Sequence, residues 1–192
     1  EKYLIKLKMD KKLLKNLITS GEAALQTLKK NVYGKKFYHL GPERDIDLIK
    51  GFEENQTRIE NCDFILCTGL FDNEKNSLKY YEDLLKKYTS LKMLCTNPDL
   101  IVHRGSQVEY CAGSVAEVFK DLGGKVVYFG KPYPEIYNFF LEKKENILAI
   151  GDNIRTDIMG ANYMKFDSQS VSICKNAIFD LANQGFFIYG GP

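Results

Sequence analysis

The chain has 192 residues, 44% of them hydrophobic, enough for one domain of ordinary size or two small ones. Its 27 basic residues nearly cancel its 25 acidic ones, and a net charge of +2 gives no case for nucleic acid or a membrane as partner. No run approaches the roughly 18 apolar residues of a membrane span, and no signal peptide is visible. Five cysteines, Cys62, Cys67, Cys95, Cys111 and Cys174, are an odd number without metal-site spacing. They argue against a disulfide scaffold and for a reducing, cytoplasmic location.

Tyr3 to Leu7 reads as the end of a helix, continued by Leu13, Leu14 and Leu17. Thr19-Ser20-Gly21-Glu22 offers a cap and a first-turn acid, and Ala24, Leu25 and Leu28 form the apolar face of the helix behind it. Phe37 to Leu40 reads as a strand closed by Gly41-Pro42, and Ile46 to Phe52 as a helix. Asp63 to Cys67 is a compact apolar run and hence a buried strand, with Cys67 a buried small hydrophobe. Leu78, Tyr81, Leu84 and Leu85 recur at helical spacing, and Lys92 to Cys95 is the next strand. Ile101-Val102 and Val108–Tyr110 flank Arg104-Gly105-Ser106, which suits a hairpin. Val115, Val118, Phe119 and Leu122 mark a helix stopped by Gly123-Gly124.

Val126 to Phe129 is another apolar strand, followed by Gly130-Lys131-Pro132 and a helix with Ile136, Phe139 and Phe140. Ile147 to Ile150 is a strand that gives way to Gly151-Asp152. Ile154, Ile158 and Ala161 then recur as the buried face of a helix. Past it, Phe166 to Ser172 is too polar for a confident core strand; a strand-like piece at Val171–Cys174, a helix at Ala177–Ala182 and a strand at Phe186–Tyr189 follow. Strand and helix alternate throughout, which indicates α/β architecture with mostly parallel strands.

Two strand-to-helix turns carry polar groups. The first presents Lys131; the second presents Asp152 and Asp157, with Asn153 between them. In an open α/β sheet, ligands gather outside the carboxyl ends of the strands. Carboxylate oxygens there suit a hard cation such as Mg²⁺. If the two strands are neighbours about 4.8 Å apart, a lysine and a carboxylate share one site. Together they could hold a phosphate and its metal. Taken singly, Gly-Lys-Pro is a turn with a surface lysine, and Gly-Asp before a helix is a capped turn. His103 reads as a surface hairpin residue and His39 as a packed strand residue.

Gly130-Lys131-Pro132 with Gly151-Asp152-Asn153-Ile154-Arg155-Thr156-Asp157-Ile158 resembles the third and fourth motifs of the haloacid dehalogenase superfamily. The finer resemblance is to its class with a large α/β cap, the NagD-like and nitrophenylphosphatase-like hydrolases. Ile18 to Glu22, Thr96-Asn97-Pro98-Asp99 and Cys111-Ala112-Gly113 also resemble that class. The resemblance implies an incomplete Rossmann-like core plus a cap: 1–19 a core remnant, 20–124 the cap, 125–192 the C-terminal part of the core.

It also implies a Mg²⁺-dependent phosphatase that acts on a small phosphorylated metabolite through an aspartyl-phosphate. Lys131 would bind substrate and stabilise the phosphoryl charge. Asp152 would be the metal ligand. Asp157 would support the metal's waters or orient Lys131, and Asn153 would join the same shell. The family's nucleophile belongs in Asp-x-Asp-Gly after an apolar strand. The one Asp-x-Asp in the sequence, Asp45-Ile46-Asp47, has Leu48 in place of glycine and reads as a solvated helix start. The chain therefore looks like a phosphatase lacking its first two motifs and inactive alone, and its opening at Glu1 favours a fragment of a longer product. The alternative is a non-catalytic remnant that binds a metabolite or forms a homodimer through the cap. A receiver-like or nucleotide-binding domain is a weaker reading, since no G-x-G-x-x-G follows a strand and no P-loop is present.

Overall fold

Phe64-Ile65-Leu66-Cys67 is buried at all four positions, which marks it as a strand covered on both faces. In the computed structural model, which describes residues 5, 6, 8, 10, 12, 18–75, 77–105, 107–138, 147–151 and 153–170, this strand is central. The chain divides into two units, one Ser20–Gly130 and the other Glu1–Thr19 with Lys131–Pro192. No helix among the described residues is long and apolar enough to cross a membrane.

In the first unit, α1 (Ser20–Lys29) leads into β1 (Phe37–Leu40), β2 (Phe64–Cys67), α2 (Leu78–Leu85), β3 (Lys92–Cys95), the hairpin β4 (Ile101–Arg104) and β5 (Gln107–Tyr110), α3 (Ala112–Asp121) and β6 (Lys125–Tyr128). The parallel sheet runs β1-β2-β3-β6. Beyond the strands, Thr68 N–H donates to Leu40 O, Thr96 N–H to Cys67 O and Phe129 N–H to Cys95 O, each at 2.8–3.0 Å. At the other end, Asp63 Oδ2 accepts the N–H groups of Lys35 and Lys36, both at 2.9 Å, and ties the entry of β1 to that of β2.

The core of this unit is made where the strands' apolar side chains meet the helices. Phe37, Phe64, Ile65, Met93, Leu94, Val115 and Phe119 are at most 1% exposed. Burying each large side chain stabilises the fold by about 1.5–3 kcal/mol. Ser77 caps α2 by accepting from Tyr80 N–H at 3.2 Å. The helix buries Tyr81 and Leu85, and Tyr81 Oη accepts the Phe71 N–H at 2.7 Å. Burial is the main reason the Tyr81 phenol is pushed up to about 12. Cys67 and Cys95 are fully buried partners in the β2–β3 register and carry free thiols. The Cys95 thiol, and then burial, hold the Cys67 thiol well above its ordinary value. Such a thiol is inert in the folded state.

Three expectations are corrected here. The segment read as a helix from Ile46 to Phe52 is a 3-10 helix over Glu43–Ile49, followed by a second short 3-10 turn at Glu53–Asn55. Its side chains are largely exposed, and only Ile49 is buried. Asp45-Ile46-Asp47 lies within it, a solvated turn. The strand at 125–128, expected to open the C-terminal core, instead pairs with β3 through Met93–Val126, Leu94–Val127 and Cys95–Tyr128. The unit accordingly extends to Gly130 rather than stopping at residue 124. An apolar run says that a strand is buried, but not which sheet buries it. His39 is packed, as expected, and His103 is exposed in the hairpin.

In the second unit, α4 (Pro134–Asn138), β7 (Leu148–Gly151), a π-helical turn (Ile154–Ile158), α5 (Met159–Met164) and β8 (Asp167–Ser170) are described. β7 and β8 pair in parallel. β8 is the third correction: the polar run from Phe166 does form a strand, paired in parallel with β7 from Leu148–Asp167 to Gly151–Ser170. The expected elements at Tyr3–Leu7, Leu13–Leu17 and beyond Val171, with Cys174, fall largely or wholly outside the described residues.

His39 supplies a pH prediction. Its Nε2 lies 2.9 Å from Thr68 Oγ1, and it is 7% exposed. Burial lowers its pKa below 6.5, while nearby Asp45 opposes this. Below pH 6.5 the unfolded chain takes up a proton that the folded chain resists. Stability is therefore whole above that pH and declines as pH falls through it towards the folded value. The thermal midpoint of the wild type should fall more steeply below pH 6.5 than that of His39→Gln. Parallel curves for the two proteins would show that His39 is not the group responsible.

Candidate active site

The second unit places a carboxylate where the sequence places an apolar stripe. Asn153 starts the turn after β7, and its Oδ1 accepts the Arg155 N–H at 2.9 Å. Asn153 O then accepts from both Asp157 N–H at 2.8 Å and Ile158 N–H at 3.4 Å. The second of these spans five residues, the signature of a π-turn, a form frequent at functional sites. The wider turn changes which side chains face inward. Asp157 is 7% exposed, whereas Ile154, expected on the buried face, is 71% exposed. Ala161 is buried as expected.

Asp157 is satisfied on both oxygens. Oδ1 accepts a short hydrogen bond from Lys131 Nζ, and Oδ2 accepts the Asn153 N–H at 3.1 Å. The Lys131 and Asp157 side chains are 15% and 8% exposed, so this is a largely dehydrated ion pair. Charge-assisted bonds of this kind are stronger than neutral ones and fix geometry as well as energy. Gly151 makes room for it. A Cβ on Gly151 would lie 2.1 Å from Asp157 Cγ and 2.3 Å from Asp157 Cβ and Oδ2. Lys131 stands at the turn before α4, and its peptide bond to Pro132 is cis.

Lys131, Asn153 and Asp157 are thus brought together, but not by the expected route. The strand before Lys131 pairs with β3, and the strand before Asp157 pairs with β8. They are not neighbours in one sheet. Asp152, between Gly151 and Asn153 in sequence, lies outside the described residues. Among the described residues no three His, Cys, Asp or Glu side chains cluster as a metal cage. Mg²⁺ does not need one, since it often takes one or two carboxylates, waters and a phosphate. The donors at this turn are carboxylate oxygens, which suit that ion. Both Asp157 oxygens are engaged, one by Lys131 Nζ and the other by the Asn153 N–H.

The sequence profile of a family described as HAD-hydrolase-like matches residues 128–172, the stretch that holds Lys131, Asn153 and Asp157. A solved hydrolase of the haloacid dehalogenase-like family from Brucella suis 1330 is 30% identical, with a TM-score of 0.68 over 82% of this chain. This chain has the fold of the haloacid dehalogenase-like hydrolases, and residues 128–172 match that family's profile. It spans 64% of the length of the Brucella protein. The 4-nitrophenylphosphatase from Thermotoga maritima shares the fold at 22% identity and a TM-score of 0.61, over 85% of this chain and 65% of that one. The p-nitrophenyl phosphatase from Archaeoglobus fulgidus does so at 16% and 0.60, over 87% and 66%. No protein of curated function matches. Sequence reasoning missed Gly151 as a spacer in this haloacid dehalogenase-like site. The Gly-Asp pair was visible, but the crowding behind it arises only once the turn folds back.

Proposed function

We propose that this chain supplies the phosphate-binding lysine and the metal carboxylate of a Mg²⁺-dependent phosphate-monoester hydrolase. The observation that carries the reading is the buried pair in which Asp157, fixed by the Asn153 N–H and packed against Gly151, holds the Lys131 ammonium. An ammonium held in a dehydrated site offsets charge on transferring phosphoryl oxygens far better than one in water. Asp152 would hold Mg²⁺, which when bound supplies charge neutralisation for the phosphoryl group. Lys131 contacts and orients the phosphate, and Asp157 keeps Lys131 aimed.

On this reading the attacking group is an aspartate that Asp45-Ile46-Asp47, a solvated 3-10 turn, does not supply. Its carboxylate oxygen forms a bond to phosphorus while the ester P–O bond breaks. A second carboxylic acid protonates the departing alkoxide, and water then releases phosphate. The substrate is a small phosphorylated metabolite. The chain alone is inactive.

The complete product of the reading frame that encodes this chain should hydrolyse p-nitrophenyl phosphate with Mg²⁺, and Asp152→Asn should lower kcat by roughly 10²–10³-fold. Equal turnover in the variant would overturn the assignment. No turnover in the unaltered product would favour the non-catalytic, metabolite-binding module.

A further inference from the structure

Lys131 and Asp157 have to meet without a shared sheet, and the helices behind them make the connection. α4 begins three residues after Lys131, and α5 begins two residues after Asp157. The two helices pack on each other. Their contact is built on Gly160 and Tyr137. A Cβ on Gly160 would lie 2.0 Å from Tyr137 Oη and 2.8 Å from its Cζ, so the phenol occupies the space that a side chain would fill. The other side of the ring meets Phe166 edge-on, with centroids 5.8 Å apart and planes at 76°. Phe166 is in turn held to α5 by its N–H, which donates to Ala161 O at 2.9 Å. Tyr137 is thereby gripped between the start of α5 and the residue that leads into β8.

We infer that Tyr137, seated on Gly160 and braced by Phe166, is a positioning residue that sets how Lys131 approaches Asp157. Aromatic pairs of this geometry contribute beyond their buried area. A helix–helix contact closed by glycine leaves little freedom to slide. Its effect on catalysis rests on the phosphatase reading given above. Its effect on the ion pair does not.

The test is therefore made on the pair first. The rate at which an amine-acylating reagent labels Lys131 across pH is followed by mass spectrometry, with exposed Lys165 as the internal control. Gly160→Ala and Tyr137→Leu should raise Lys131 labelling towards that of Asp157→Asn and leave Lys165 unchanged. Should Gly160→Ala fail to fold, Tyr137→Leu carries the test, because it keeps an apolar side chain on α4. In the complete reading-frame product the same two variants should lower kcat by roughly 10²-fold, with KM changed little. Wild-type labelling of Lys131 in folded Gly160→Ala or Tyr137→Leu protein would overturn the inference. Raised labelling in a product without phosphatase activity would uphold the positioning role and overturn the function proposed for the site.

Discussion

Lys131→Ala should abolish phosphate-ester turnover and also weaken the fold that carries it. Asp157 is 8% exposed at its side chain and accepts from Lys131 on one oxygen. Removing the ammonium leaves a buried carboxylate that, among the described residues, keeps the Asn153 N–H at 3.1 Å. Breaking a buried pair from one side costs about 3–5 kcal/mol, because the remaining charge is stranded. Loss of a donor aimed at developing charge costs roughly 10²–10³-fold in kcat. The two losses are separable. In Lys131→Met with Asp157→Asn no charge is stranded, and the amide oxygen can still accept from Asn153. That double variant should recover most of the stability in denaturant titrations and none of the turnover. If Lys131→Ala unfolds at the wild-type denaturant concentration, the pair is not structurally coupled as described.

Gly151→Ala should be nearly as damaging although it adds one methyl group. That methyl would stand 2.1 Å from Asp157 Cγ. Asp157 cannot retreat without giving up Lys131 or the Asn153 N–H, and β7 is held in register with β8 through Gly151 itself. Overpacking of this kind costs about 1–3 kcal/mol. A shift of about 1 Å in Asp157 is enough to lower turnover by roughly 10²-fold through Lys131. Thermal unfolding and kcat measured together would check this. Wild-type values for both would mean that Asp157 has room the structure does not give it.

Much of the fold was legible because its strands carry their own signal. Phe64–Cys67 and Met93–Cys95 are apolar at every position, and they are the buried strands of the four-stranded sheet. Asp167–Ser170 was not legible, since its polar sequence carries no hydrophobic signal for the backbone pairing it makes to β7. Lys131, Asn153 and Asp157 were recognisable from Gly-Lys-Pro and Gly-Asp-Asn motifs, and the structure brings Lys131 and Asn153 each into a hydrogen bond with Asp157. The route was misread. The strand before Lys131 joins the sheet of the other unit, and a π-turn replaces the helical start that would have buried Ile154. Neither feature has a local sequence signature. A single added residue in a turn changes which side chain faces in, and sheet membership depends on partners distant in the chain. Tyr137 on Gly160 was hidden for the same reason, because the contact joins two helices whose packing only the folded unit defines.

The proposed half-site, in which Lys131, Asp157 and Asp152 hold phosphate and metal, makes turnover depend on both Mg²⁺ and Lys131. Its most direct measurement is p-nitrophenyl phosphate turnover by the complete reading-frame product, taken with Mg²⁺, after chelation and after Mg²⁺ is returned, beside Lys131→Ala. Turnover lost on chelation, restored by Mg²⁺ and absent from the variant throughout is the expected result. Turnover indifferent to chelation, or retained in Lys131→Ala, would contradict it.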